Sequence, residues 1–206
     1  MPESPHRTWR PLTQFALATA LFALAAAATR GNLQEHAHAD ALAALAGVLP
    51  ASYYDNDPTT DRLHIHDVDA LGSTEPMPVW RARRGGQASA LVVDAIASGY
   101  GGPLRLRIGI ARDGTLIGVR VVAHRETRGL GDAFAYDGGR WLAQLSGRTL
   151  NDPPESGWTV RRDGGVFDQF SHATVTPRAI LARVRAVLAA YEVQHERWFA
   201  SGETPR

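Results

Sequence analysis

The 206-residue chain contains no cysteine. That absence excludes disulfides, cysteine nucleophiles, thiolate zinc sites and protein-held iron–sulfur clusters. Lysine is missing as well, and all 22 basic residues are arginine. A P-loop lysine, a lysine Schiff base and a lysine general base are therefore impossible. No charge of one sign prevails: the formal net charge is +1, so no strong field calls for nucleic acid. Redox chemistry in such a chain requires electrons held on a bound cofactor. What is present is ordinary for a folded protein, with 44% hydrophobic and 21% charged residues. The length suits one domain with an appendage, or at most two small domains.

Charge is absent from Pro11 through Thr29. The run Leu12–Thr29 holds eight alanines, four leucines and two phenylalanines. At ~1.5 Å per residue it reaches roughly 27 Å, enough for a thin bilayer. His6, Arg7 and Arg10 precede it and Arg30 follows, with no further arginine through Pro50. This bias places the N-terminus in the cytoplasm. Two readings stay open. One is an uncleaved anchor over residues 12–29. The other is a cleaved signal peptide using the small residues Ala25–Ala28. The length of the apolar run favours the anchor. Both readings export Gly31–Arg206.

Beyond the anchor, Leu33–Leu49 is rich in helix formers and ends at Pro50. Ala51–Met77 reads as loop, with one short strand around Leu63–Val68. Strand signals begin at Val79, and Ala90–Ile96 is a nearly continuous apolar stretch. Leu104, Leu106, Ile108 and Ile110 alternate with Arg105, Arg107 and Gly109, the period of a half-buried strand. Asp113-Gly114 then marks a tight hairpin into Ile117, Val119 and Val121. Asp132–Leu145 predicts a short helix and Trp158–Val166 a strand broken at Gly164-Gly165. A final helix is predicted to start near Pro177 with Thr176 as its cap, burying Ile180, Val184, Val187, Leu188 and Tyr191. This pattern argues for α+β, with a central, largely antiparallel sheet flanked by helices.

The segment richest in chemistry is Asp168-Gln169-Phe170-Ser171-His172-Ala173-Thr174, which leads straight into that helix. Free backbone N–H groups and the helix dipole make such a place attractive to an anion. On composition alone, an anion site and an ordinary capping loop both remain open.

Asp168-x-x-Ser171-x-Ala173-Thr174 resembles the flavinylation motif of bacterial FMN-binding domains, Asp-x-x-Ser/Thr-Gly-Ala-Thr. His172 stands where glycine is usual. The resemblance implies that a flavin transferase joins FMN, through its phosphate, to the hydroxyl of Thr174. A second segment, Glu126-Thr127-Arg128-Gly129-Leu130-Gly131, resembles the Glu-Thr-x-Gly-Leu-Gly signature of the same family, with Arg128 where proline is common. Gly99-Tyr100-Gly101-Gly102 leads into the hairpin that precedes it.

Taken together, these features resemble the covalent FMN-binding subunits (G-type) of Rnf-type ion-translocating electron transport complexes. The resemblance implies a single-pass protein of the bacterial inner membrane with a periplasmic C-terminal domain. It implies the following organisation: a cytoplasmic N-terminus over 1–11, an anchor over 12–29, a membrane-proximal helix and connecting segment over 30–77, an FMN-binding domain over 78–200, and a tail over 201–206. Thr174 is the implied attachment point. Asp168, Ser171, Ala173, Glu126, Thr127, Gly129, Leu130 and Gly131 are the implied cofactor-binding residues. Implied partners are the other membrane subunits of a ferredoxin- and NAD-linked complex, and the flavin transferase during maturation. No side chain is required as acid or base, so the expected role is electron relay within a complex.

The departures at His172 and Arg128 keep open a tethered binding or assembly module without flavin, and a third reading is an exported flavoprotein reductase outside any complex. Metal binding is not expected. His36 and His38 point apart on a helix; His64 and His66 share a strand face but lack a completing carboxylate set. Arg81, Arg83 and Arg84 read as a solvated strand face or a partner-docking patch. Trp80, Trp141, Trp158 and Trp198 read as core or interface residues.

Overall fold

In the computed structural model, which describes residues 35–170 and 173–200, five strands form one meander. They are β1 (Arg62–Ile65), β2 (Met77–Arg84), β3 (Gln87–Ser98), β4 (Pro103–Ala111) and β5 (Leu116–Ala123). Spatial order follows chain order, and every neighbouring pair is antiparallel. The expected α+β architecture with an antiparallel sheet is present. The predicted anchor over 12–29 lies outside the described residues. Among the described residues no helix is long and apolar enough to cross a membrane.

The chain divides into two units, Met1–Ala43 and Ala44–Arg206. Of the first, the described residues 35–43 are helical, and the helix closes at residue 46 (α1).

Within the second unit, strand alternation decides which face is covered. Leu104, Leu106, Ile108 and Ile110 of β4 are fully buried on one face with Leu91, Val93 and Ala95 of β3. The long helix α5 (Val175–Phe199) packs there through Ile180, Leu181, Val184, Val187, Leu188 and Tyr191, a stripe at helical spacing. The opposite face carries a smaller cluster in which Leu45, Val48 and Leu49 cover Ala82, Ala90 and Val92. Covered on both faces, β3 reads as a nearly continuous apolar run. Gly109 of β4 permits this cover, because a Cβ there would stand 1.9 Å from the Val48 carbonyl oxygen. Asp94 interrupts the run. Its buried carboxylate is held by Nε of Arg105 at 2.9 Å and Nε of Arg107 at 2.8 Å.

The turns explain several departures from expectation. Gly85-Gly86 joins β2 to β3 as a two-residue connection with both φ values positive, the geometry that matches strand twist. The β4–β5 hairpin turns through Arg112-Asp113-Gly114, one residue longer than a two-residue turn. Gly114 N–H donates to the Ala111 carbonyl at 2.9 Å. The helix predicted over Asp132–Leu145 is two short ones, α3 (Ala133–Tyr136) and α4 (Arg140–Ala143). Gly138 and Gly139 at φ 70° and 81° break it.

The strand predicted over Trp158–Val166 is absent. Glu155–Gly157 and Arg161–Asp163 form tight 3-10 turns instead, and only Val160 makes a bridge, to Phe167. Trp158, Val160 and Phe167 are buried anchors spaced for a looping chain, with Gly164 closing the second turn at φ 88°. Residues 51–77 hold more than the predicted strand. A 3-10 turn (Ala51–Tyr53) and a short helix α2 (Val68–Leu71) flank β1, and Asp67 caps α2 through its side chain.

Of the β2 arginines expected on a solvated face, Arg84 is exposed but Arg81 and Arg83 are not. Arg81 is buried, and it and Arg83 share the carboxylate of Asp61. Nη1 of Arg81 donates to the Ala200 carbonyl and Nη2 of Arg83 to the Phe199 carbonyl at 3.0 Å. These are the terminal carbonyls of α5, which a helix leaves without partners of its own. Arg84 donates to the Ser52 carbonyl. Trp141, Trp158 and Trp198 are core residues, as expected.

Candidate functional site

The final helix starts earlier than its proline suggests. α5 begins at Val175 with Thr174 at the N-cap position. Thr176 therefore lies inside the first turn and is no cap. Its hydroxyl is buried and donates to Oε2 of Glu126 at 2.8 Å. The other carboxylate oxygen, Oε1, accepts from Gly101 N–H at 3.1 Å.

Glu126 thus joins three segments: the loop Gly99–Gly102, its own segment after β5, and the start of α5. The enclosure is tight. A Cβ on Gly99 would sit 2.1 Å from Oε1, and one on Gly131 would sit 2.1 Å from Oε2. Gly99 and Gly131 thus lie directly against this carboxylate, where a side chain would not fit.

Through this contact the Glu126 motif meets the chain two residues beyond the Asp168–Thr174 motif. Thr127, Arg128, Gly129 and Leu130 lie on a turn, and all four are exposed. Leu130 N–H donates to the Thr127 carbonyl at 3.1 Å, and Gly129 at φ 78° occupies the third turn position. A type II turn requires such a residue there and favours proline just before it, where this chain has Arg128. Buried Asp132 fixes the turn by accepting from Gly129 N–H at 2.7 Å. The Arg128 guanidinium reaches Tyr136, donating from Nε to the phenol oxygen at 2.8 Å.

Thr174 is partly exposed. Its side chain makes no capping hydrogen bond to the helix. Oγ1 instead accepts from Nη1 of Arg178, one helical turn onward, at 3.1 Å. Nε and Nη2 of Arg178 are taken by the two carboxylate oxygens of Asp163, at 2.5 and 2.7 Å. The pairing holds the Asp163 carboxyl below the usual aspartate range and raises Arg178. Asp163 stands on the tight turn that replaced the predicted strand.

Asp168 pairs with Arg161, Nη1 to Oδ1 at 3.2 Å, and its carbonyl accepts from Nε1 of Trp141 at 2.6 Å. Trp141, Phe170, Phe134 and His124 form a contiguous aromatic set beneath residues 168–170, with successive centroids 4.9, 6.0 and 5.1 Å apart. Ala173 is half-buried and closes a bridge to Phe170. Ser171 and His172 lie outside the described residues. A cleft of about 520 Å³ between β5 and the α3–α4 pair is lined by His124 and Phe134, with Arg120, Gly139 and Leu142.

The structure therefore gathers Thr174, Ala173 and Glu126 with Gly131 around the start of α5. It sets Thr127, Gly129 and Leu130 on a separate turn, and it directs Asp168 towards Arg161. Sequence reasoning missed Arg178 and Asp163. The i, i+4 spacing of Thr174 and Arg178 was a usable signal, but only with the helix start at Val175. Among the described residues no cluster of histidine and carboxylate side chains could hold a metal.

Residues 99–189 match the family model of the FMN-binding domain. The chain is 44% identical over 200 residues to the G-type subunit of the ion-translocating oxidoreductase complex of Cereibacter sphaeroides, covering 93% of this chain and 90% of that protein. It is 43% identical over 161 residues to the G-type subunit from Pseudomonas aeruginosa, covering 78% and 75%. With the one from Vibrio cholerae it shares 37% over 190 residues, covering 92% and 90%. Among solved structures it is similar to the C-type subunit of the Na(+)-translocating NADH-quinone reductase of Parabacteroides distasonis. That match has 21% identity and a TM-score of 0.48, and covers 66% of this chain and 69% of the other.

Proposed function

Because the chain belongs to the family of G-type subunits of ion-translocating oxidoreductase complexes and carries an FMN-binding domain, we propose that it is the flavin-bearing relay of such a complex, with FMN joined through its phosphate to Oγ1 of Thr174. The observation that carries this reading is the state of Thr174. Its side chain is partly exposed, is not used to cap α5, and places Oγ1 3.1 Å from a guanidinium nitrogen. The residues present fit a phosphoester. The first turn of α5 contains no acidic residue, the carboxylates of Asp163 and Asp168 are each paired with an arginine, and that of Glu126 is taken up by Thr176 and Gly101.

When bound, FMN supplies one- and two-electron transfer, which this chain's side chains lack. Thr174 retains the group, and Ala173 keeps the approach to its oxygen clear. Glu126 fixes the start of α5 against the Gly99–Gly102 loop. Thr127 and Leu130, on their turn, offer a hydrogen-bonding group and an apolar contact to a ring. Ser171 and Asp168 complete the sequence that a flavin transferase reads. The remaining membrane subunits are the electron partners. The anchor over 12–29 holds the N-terminus in the cytoplasm and delivers the domain to the periplasmic side.

The test is co-expression of the full chain with a flavin transferase, followed by denaturation, in-gel fluorescence and intact mass. A fluorescent band carrying the mass of FMN, abolished in Thr174→Ala, is the expected result. A dark band with the bare polypeptide mass overturns it and favours a flavin-free assembly module.

A further inference from the structure

We propose that Arg178 is the phosphate-binding residue of this site: it presents Oγ1 of Thr174 to the incoming phosphorus and afterwards neutralises the phosphodiester, with Asp163 holding it in place. This rests on Thr174 being the attachment point. A surface salt bridge between Arg178 and Asp163 needs only the Nε and Nη2 edge of the guanidinium, and that edge is what Asp163 takes. The remaining nitrogen, Nη1, is thereby aimed at Oγ1 of Thr174. It carries a second N–H with no acceptor among the described residues. The planar fork fixes all three directions at once, which a lysine ammonium does not do.

The chemistry balances without oxidation. The Oγ1–phosphorus bond forms and a phosphorus–oxygen bond in the pyrophosphate of a flavin dinucleotide donor breaks. A nucleoside monophosphate leaves, and the threonine proton passes to the transferase's base or to water. Negative charge builds on the phosphoryl oxygens during transfer, which is where a fixed N–H donor lowers the barrier. The Thr174 hydroxyl accepts from Arg178 and donates to no group among the described residues, so its proton is free to depart.

The experiment follows flavin incorporation into the full-length chain at fixed transferase and varied acceptor concentration, in wild type, Arg178→Gln, Arg178→Lys, Asp163→Asn and Thr174→Ala. Arg178→Gln is expected to lower kcat about ten- to hundred-fold with little change in the KM for the acceptor. Arg178→Lys should recover part of that loss, and Asp163→Asn should fall between. After prolonged loading, the phosphodiester ³¹P resonance should differ between wild type and Arg178→Gln, a change that a purely structural role would not produce.

Labelling of Arg178→Gln at the wild-type rate with an unmoved resonance, while Thr174→Ala stays unlabelled, overturns this proposal and leaves the attachment intact. Labelling of Thr174→Ala overturns the attachment itself. Should Arg178→Gln fail to fold by thermal unfolding, Arg178→Lys and Asp163→Asn carry the same test. Wild-type rates in both overturn the proposal.

Discussion

The two ends of α5 are each dressed by arginine and aspartate, yet the pairs do different work. At the C-terminal end, Asp61 holds Arg81 and Arg83 against the terminal carbonyls, and Arg81 is buried. Cations there complement the dipole and complete backbone hydrogen bonding. At the N-terminal end, the Asp163 and Arg178 side chains are 32% and 41% exposed, and the guanidinium touches a hydroxyl, not the backbone. Burial makes the first pair a matter of stability. Exposure makes the second nearly worthless for stability, because solvent screens it, and leaves its orientation as its contribution.

The sharpest way to break this comparison is Asp61→Ala. It leaves two guanidiniums crowded without their carboxylate and should cost about 2 kcal/mol. For a chain of this size that lowers Tm by roughly 4–8 °C in a thermal melt. Flavin incorporation at a temperature where the variant is folded should be unchanged.

Next in size is Thr176→Val. It leaves Oε2 of Glu126 buried without a donor and should cost about 1–2 kcal/mol by denaturant unfolding. Asp163→Asn should leave the melt unmoved while slowing flavin incorporation, the reverse of Asp61→Ala. A shared response of both variants in both assays would erase the distinction between the two ends.

The smallest effect is a titration. Arg178 holds the Asp163 carboxyl below the usual aspartate range in the folded protein. The pairing is therefore complete above the unfolded aspartate value and is lost only as pH falls through the lower, folded one. Arg178→Gln should move the carboxyl ¹³C titration of Asp163 back up towards the ordinary range.

Much of this fold is legible in the sequence alone. The alternation of Leu104–Ile110 and the stripe Ile180–Tyr191 specify β4 and α5, because a half-buried strand and a one-sided helix each impose a period on apolar residues. The proposed attachment point, Thr174, is legible only through resemblance. What stays hidden has identifiable causes. Trp158, Val160 and Phe167 are apolar anchors of a loop, and apolar spacing over so short a segment does not separate loop from strand. Asp163 is thereby misplaced. Pro177 draws the predicted helix start inward, which removes Thr174 and Arg178 from a common turn. The arginines of β2 alternate as a solvated strand would. Their partners, Asp61 and the end of α5, are remote in sequence, and no local pattern reveals them.

The contact between Glu126 and Thr176 spans fifty residues of chain. Contacts of such separation form only after the intervening loop has been closed, at the cost of its entropy. The start of α5 therefore receives its final setting from a hairpin made far upstream. An unfolded chain presents the Asp168–Thr174 letters without that setting. On the attachment proposed above, readiness for modification is a certificate of folding: a transferase that needs the assembled site acts last, on chains whose sheet is already complete.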